Sequence, residues 1–267
     1  MIRDITIGQY YPVKSPIHRM DPRTKLFGTL IFIISVFLFH SVAGYAVATL
    51  FLAGMIIISQ VPVKFIFKGL KAIFMILMIT MVFNILLTPG EVLWKIGIFK
   101  ITREGISMAV RMAIRLVYLV IGSSLMTLTT TPNQLTDGLE KSLRPLNKIH
   151  IPVHEIAMMM SIALRFIPIL LEETDKIMKA QIARGADFES GNLIQKVKNM
   201  VPLLVPLFIS AFRRANDLAM AMEARCYHGG DNRTQMKPLH YTRRDHIAYV
   251  VLFVYLAVAI GFRVMGW

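Results

Sequence analysis

LFGTLIFIISVFLFHSVAGYAVATLFLAGMIIISQVPV, residues 26–63, runs for 38 residues without an aspartate, glutamate, lysine or arginine. One helix crosses the hydrocarbon of a bilayer in about 20 residues, so this stretch suffices for two. Its break falls at His40-Ser41, with Gly44 just beyond, and predicts a helical hairpin with spans near 26–39 and 42–59. Further along, Ala72–Gly90 forms a third uncharged run, closed by Thr88-Pro89-Gly90, where proline and glycine end a helix. A fourth span is predicted over Ile106–Thr131, carrying Arg111 and Arg115 in its first turns, and a shorter fifth over Ile247–Phe262, followed by Arg263 and the interfacial Trp267.

The composition agrees with this reading. Of 267 residues, 55% are hydrophobic and 17% charged, against roughly a quarter charged in soluble domains. Mean hydropathy is +0.57. These values argue against disorder, a nucleic-acid-binding domain and a soluble enzyme. The net charge is nevertheless +14, from 30 basic and 16 acidic residues. Basic residues in short loops mark the cytoplasmic side. Arg3, Lys14, Arg19, Arg23 and Lys25 precede the first span, and Lys64, Lys68 and Lys71 follow the second. The N-terminus is therefore expected inside. Four spans then return the chain to the cytoplasm and the fifth leaves the C-terminus outside. On this topology Arg111 and Arg115 lie near the outer surface or face the bundle interior. The N-terminal segment has no signal-peptide pattern, and the one cysteine, Cys226, excludes an internal disulfide framework.

The expected organisation is 1–131 with four spans, a cytoplasmic insert over 132–245, and a last span over 246–267. The insert holds 12 of the 16 acidic residues and 16 of the 30 basic ones. It also contains two apolar stretches, Ile156–Leu171 and Val201–Phe212, which read as interfacial roots of kinked helices rather than as spans. Pro168 falls in the first, Pro202 and Pro206 in the second. Beyond each root the pattern turns polar at helical spacing. Glu172 with Lys176 and Asp175 with Lys179 are acid-before-base pairs four residues apart. Ala211, Ala215 and Ala219 make a small-residue stripe that lets another helix approach closely.

Both helices end in matching tripeptides, Ala183-Arg184-Gly185 and Ala224-Arg225-Cys226. From Leu171 to Ala183 and from Phe212 to Ala224 the chain advances 12 residues, about 18 Å of helix at 1.5 Å per residue. Two equal arms, each tipped by one arginine, point to two equivalent docking sites. The planar guanidinium can bind a carboxylate or a cluster of carbonyls through several hydrogen bonds at once. Alternatively, Ala-Arg-Gly is simply a helix C-terminus, with glycine as its cap and a cation favourable to the helix dipole.

Four stretches together resemble the transmembrane (T) component of energy-coupling-factor transporters, a branch of the ATP-binding-cassette importers. They are Gly8-Gln9-Tyr10-Tyr11-Pro12 through Ser15-Pro16-Ile17-His18-Arg19-Met20-Asp21-Pro22-Arg23-Thr24-Lys25-Leu26, Leu164-Arg165-Phe166-Ile167-Pro168, Gln181-Ile182-Ala183-Arg184-Gly185, and Ala221-Met222-Glu223-Ala224-Arg225. The resemblance covers essentially the whole chain. It implies an all-α integral membrane protein with about five spans and a coupling domain of kinked amphipathic helices. It also implies a non-catalytic scaffold in the cell membrane that joins one or several substrate-binding membrane proteins (S components) to two ABC-type ATPases, for uptake of vitamins and other micronutrients. ATP and magnesium would be bound by those partners and no cofactor by this chain. Arg184 would contact one ATPase and Arg225 the other, with Pro168, Pro202 and Pro206 shaping the bends. The sequence departs at Cys226, which is small enough to preserve docking but lacks glycine's backbone freedom, which argues against a left-handed turn there. The methionines, including Met158-Met159-Met160, Met220 and Met222, would offer an adaptable surface for different S components.

Other chemistry finds little support. There is no G-x-x-x-x-G-K-[ST] for phosphate binding, and no G-x-S-x-G elbow accompanies His228-Gly229-Gly230. His150 and His154 flank Pro152, which disfavours a shared helical face for metal. Two rival readings are a T-type subunit dedicated to cobalt or nickel uptake and, more remotely, a membrane-embedded lipid enzyme, which would need paired acids or a His/Asp cluster near a span end.

Overall fold

In the computed structural model, helices form over all five predicted spans. The structure describes residues 9–39, 41–96, 99–188, 192–229, 236 and 238–264, so Gly8, the break residue His40 and Trp267 lie outside the described residues. The elements in order are α1 (Pro22–Leu38), α2 (Val42–Ser59), α3 (Val63–Leu87), β1 (Val92–Ile96), β2 (Phe99–Thr102), α4 (Arg103–Thr129), α5 (Pro132–Leu143), a short 3₁₀ segment (Arg144–Ile149), α6 (Val153–Ala183), α7 (Leu193–Ala224) and α8 (Arg243–Val264). The chain divides into two compact units. One comprises Gly8–Gly138 with Leu239–Trp267, the other Leu139–Pro238.

Local chemistry sets the helix ends of the first unit. Asp21 caps α1 by accepting from the Arg23 N–H, with Pro22 at the first helical position. Ser41 accepts from the Gly44 N–H at the start of α2, which ends on Gln60 at φ +56°. α3 begins earlier than its apolar run and bends by 57° between Val63–Lys71 and Ile73–Leu87. Between α3 and α4, β1 and β2 pair antiparallel. Val92, Trp94 and Ile96 recur at every second position, a strand pattern that a search for long apolar runs passes over.

The core of this unit is apolar and aromatic. Phe32, Val36, Phe39, Tyr45, Ala48, Leu52, Tyr255 and Ala259 form one buried cluster. Phe51 stacks on Tyr255 at 4.3 Å. The Ser35 and Tyr255 hydroxyls lie 2.7 Å apart and join α1 to α8 by a hydrogen bond. Arg115 acts locally at the end of α1, where its Nη2 donates to the Phe39 carbonyl (3.3 Å) and its guanidinium sits 5.2 Å from the Phe37 ring centre.

The polar N-terminal segment is tied into the bundle. Lys25 Nζ donates to the Thr129 carbonyl at the C-terminus of α4 (2.8 Å) and to the His18 carbonyl (3.3 Å). The Asp21 N–H donates to Asp245 Oδ1 (2.8 Å), while the Thr242 N–H and hydroxyl donate to Asp245 Oδ2 (2.8 and 2.7 Å). Arg23 pairs with Asp21 (2.8 Å) and lies 4.0 Å over the Tyr241 ring. Burial, together with the charge of Lys25, holds the His18 ring below its ordinary pKa. In its neutral form Nε2 donates to the Tyr11 carbonyl (3.0 Å) and Nδ1 accepts from Ser15 (2.7 Å), so both ring nitrogens are used.

In the second unit one expectation is corrected. The apolar stretch 156–171, expected as a root too short to span, is part of the 31-residue helix α6, which is long and apolar enough to cross a membrane by length and composition. Pro168 lies inside α6 without ending it, and Pro202 and Pro206 lie inside α7. By the same criteria α4 and α8 qualify as spans, as does α3 taken across its bend.

Candidate docking tips on two laced helices

α6 and α7 run antiparallel where they touch. Gln181 of α6 donates to the Pro202 carbonyl of α7 (3.2 Å), while eight residues earlier Glu173 meets Ser210 and Arg214. The first contact has a backbone cause. Pro206 has no N–H, so the carbonyl four residues before it, that of Pro202, loses its helical donor. The Gln181 side-chain amide supplies one from the neighbouring helix. At the second contact Arg214 donates from Nε (3.2 Å) and Nη2 (2.9 Å) to Glu173 Oε2, and Ser210 bonds the other carboxylate oxygen.

The face that seats α6 is therefore not the alanine stripe. Ala211 is half-buried, while Ala215 and Ala219 are exposed among the described residues. Ser210 and Arg214, one position earlier in register, make the contact. Their spacing of four on a single helix face was the available signal; that Glu173 would be their partner could not be read from order along the chain. Of the two predicted acid–base pairs on α6, Asp175–Lys179 closes at 2.7 Å.

The two tips are built alike, bond for bond. At the end of α6 the Arg184 and Ala186 N–H groups donate to the Gln181 carbonyl (3.1 and 2.9 Å), and the Gly185 N–H to the Ile182 carbonyl (2.9 Å). At the end of α7 the Arg225 and Tyr227 N–H groups donate to the Met222 carbonyl (3.1 and 3.0 Å), and the Cys226 N–H to the Glu223 carbonyl (2.9 Å). Each is a Schellman cap, the turn that satisfies a helix's last carbonyls through a residue in the left-handed region. Gly185 occupies that position at φ +87° and Cys226 at φ +56°. Cys226 therefore does make the left-handed turn that its Cβ was expected to disfavour, and that expectation is corrected. The same three hydrogen bonds hold cysteine there, against a cost on the order of 1–2 kcal/mol for a residue with a Cβ.

The helix-terminus reading of the tripeptides is correct as local geometry, and the cap has a further effect. It turns the chain away just after each arginine and leaves the arginine at the apex. Ala183, Arg184, Gly185, Ala224, Arg225 and Cys226 are all exposed. Neither guanidinium has a hydrogen-bond or ion-pair partner among the described residues. Because the helices are antiparallel, their C-termini lie at opposite ends of the pair. Arg184 is 11 residues beyond Glu173 and Arg225 is 11 beyond Arg214, which places the tips up to about 35 Å apart at 1.5 Å per residue.

α7 also carries an unpartnered apolar face. Val197, Val201, Leu204, Val205, Phe208 and Phe212 are exposed by 48–68% at helical spacing. Met159, Met160 and Met220 are exposed as well. The histidine pair does not come together as a metal face. His154 Nδ1 bonds Glu140 Oε1 (2.8 Å), whereas His150 ends the 3₁₀ segment at φ +62°. Among the described residues no group of three His, Cys, Asp or Glu side chains is placed to hold a metal.

Comparison with known proteins adds an independent line. The CbiQ family, described as Cobalt transport protein, matches residues 13–236. The chain is 57% identical over 266 residues to a protein of Clostridium kluyveri, covering 99% of this chain and 98% of that one. It is 49% identical over 264 residues to a protein of Bacillus subtilis, covering 98% of this chain and all of that one. Both relatives carry the name energy-coupling factor transporter transmembrane protein EcfT.

Proposed function

The chain belongs to the CbiQ family, among the energy-coupling-factor transporter transmembrane proteins, and on that premise we propose that it is the coupling scaffold of an ATP-driven importer. Two ABC-type ATPases bind its two tips, one at Arg184 and one at Arg225. The observation that carries this reading is the pair of exposed arginines without partners, each at the apex of the same cap and at opposite ends of one laced helix pair. One tip alone would be an ordinary helix end.

On this reading α6, although long and apolar enough to span, lies at the membrane interface rather than across it, so that the N-terminus and the Leu139–Pro238 unit face the cytoplasm and the C-terminus lies outside. The ATPases bind ATP and magnesium, and this chain hydrolyses nothing. ATP binding closes the two ATPases on each other and draws the tips together. The Glu173 clamp and the Gln181–Pro202 bond hold α6 and α7 together where they touch, so that each tip moves about that shared contact and passes its movement to the other helix, and Pro168, Pro202 and Pro206 set the bends. The apolar face of α7 and the exposed methionines receive an S component, which holds the vitamin or micronutrient. Exposed apolar area of this kind on an otherwise charged unit marks an interaction surface. A family description that names cobalt transport keeps open a subunit dedicated to a metal ion.

Affinity purification in mild detergent, with mass spectrometry of what accompanies the chain, tests the proposal. Two ATPase polypeptides or two copies of one, together with several small membrane proteins, support a shared module. One fixed substrate-binding partner supports a dedicated system. Absence of any ATPase refutes both.

A further inference from the structure

Within the first unit, α1, α2, α4 and α8 enclose a crevice of about 340 Å³. Gly28, Phe32 and Gly122 line its depth, and Met55 of α2 and the half-exposed Val251 of α8 its sides. Lys25 and Arg244 line one end, that of the N-terminal segment, and the remaining wall is almost entirely apolar. The two cations differ. Lys25 Nζ is taken up by the Thr129 and His18 carbonyls. Arg244, in the first turn of α8, is exposed and has no hydrogen-bond or ion-pair partner among the described residues.

Size and chemistry narrow the occupant. Water needs two to four polar partners, which the apolar stretch of the wall, away from the Lys25 and Arg244 end, does not offer. An extended acyl chain is slender and apolar, and the bilayer supplies it at high concentration. An acyl chain seated between α2 and α8 brings its headgroup to the crevice end, where the free guanidinium of Arg244 matches a phosphate through paired hydrogen bonds. On the proposed orientation that end faces the cytoplasmic leaflet, the one rich in anionic lipid.

We propose that this crevice is a binding site for one anionic phospholipid, with an acyl chain between α2 and α8 and its phosphate on Arg244. The lipid fills the bundle beside the Lys25 and Asp245 network and completes its packing.

The full chain, purified in mild detergent with whatever subunits accompany it and stripped of loosely held lipid, is mixed with equal amounts of dioleoyl phosphatidylglycerol and dioleoyl phosphatidylcholine and studied by native mass spectrometry. The expected result is one retained lipid per chain, with phosphatidylglycerol favoured about fivefold, the order of effect of one arginine at an anionic surface. Arg244→Gln brings that ratio to near one while the phosphatidylcholine complex persists. Val251→Trp, or Met55→Trp on the facing wall should the first variant not elute as a monodisperse species, abolishes retention of both. Persistence of the phosphatidylglycerol preference in Arg244→Gln overturns the proposal, as does undiminished retention in the tryptophan variants. A photo-crosslinker at position 251 in native membranes is expected to capture phospholipid, and capture of protein alone overturns it.

Discussion

Replacing Cys226 with glycine is expected to tighten the α7 tip, and replacing it with valine to loosen it. Cys226 sits at φ +56°, where its Cβ crowds the following carbonyl at a cost on the order of 1–2 kcal/mol. Glycine removes that cost and returns part of the gain through the greater freedom of the open chain, about 0.5–1 kcal/mol. The net gain is about 0.5–1 kcal/mol, a two- to fivefold shift in the equilibrium between closed and frayed tip. Valine, branched at Cβ, is a stronger outlier at positive φ and shifts the balance the other way by at least as much. The probe is the Tyr227 N–H, which donates to the Met222 carbonyl at 3.0 Å only while the cap is closed. Hydrogen exchange at that amide should slow two- to fivefold in Cys226→Gly and quicken in Cys226→Val, with Ala186 at the other tip unchanged as an internal control. Equal exchange in all three proteins would refute the reasoning, because it would mean that the left-handed turn at Cys226 costs nothing or does not govern the tip.

Other substitutions test the supports. Lys25→Met leaves the Thr129 and His18 carbonyls without their donor and should destabilise the first unit by about 2 kcal/mol, read as a lower Tm in detergent. Glu173→Gln keeps neutral hydrogen bonds but removes the ion pair with Arg214, a half-exposed pair worth about 0.5–1 kcal/mol. A spin-label pair on α6 and α7 should then show a broader distance distribution. Tyr255→Phe deletes the bond to Ser35 and, as an interhelical hydrogen bond in a membrane bundle, should cost only about 0.6 kcal/mol in chemical denaturation.

What the sequence disclosed divides along physical lines. Helix positions came from apolar run length and from breakers acting within a few residues: Thr88-Pro89-Gly90 does end α3 at Leu87, and Ser41 does cap α2. The hairpin at 92–102 escaped because its apolar residues alternate instead of running together. The apolar stretch 156–171 read as a kinked root too short to span, because the polar arm beyond it was counted separately, whereas root and arm form one 31-residue helix that runs through Pro168. The matching tripeptides were visible as sequence, and their equal spacing was the clue to equivalent tips. At Cys226 the preference for glycine misled, since it amounts to about 1 kcal/mol and three well-placed hydrogen bonds override it. The Lys25, Asp21 and Asp245 network joins residues up to 224 positions apart, and nothing local signals such partners. The same holds for Gln181, whose part depends on a proline in another helix.

The central claim is that the two caps present Arg184 and Arg225 as separate docking points for two ATPases. Its most direct measurement is the ratio of ATPase to this chain after purification in mild detergent, for the native protein, each single Arg→Glu variant and the double variant. The account predicts that each single substitution weakens attachment and that the double variant, still folded in the membrane, comes away without ATPase. An unchanged ratio in the double variant would contradict it.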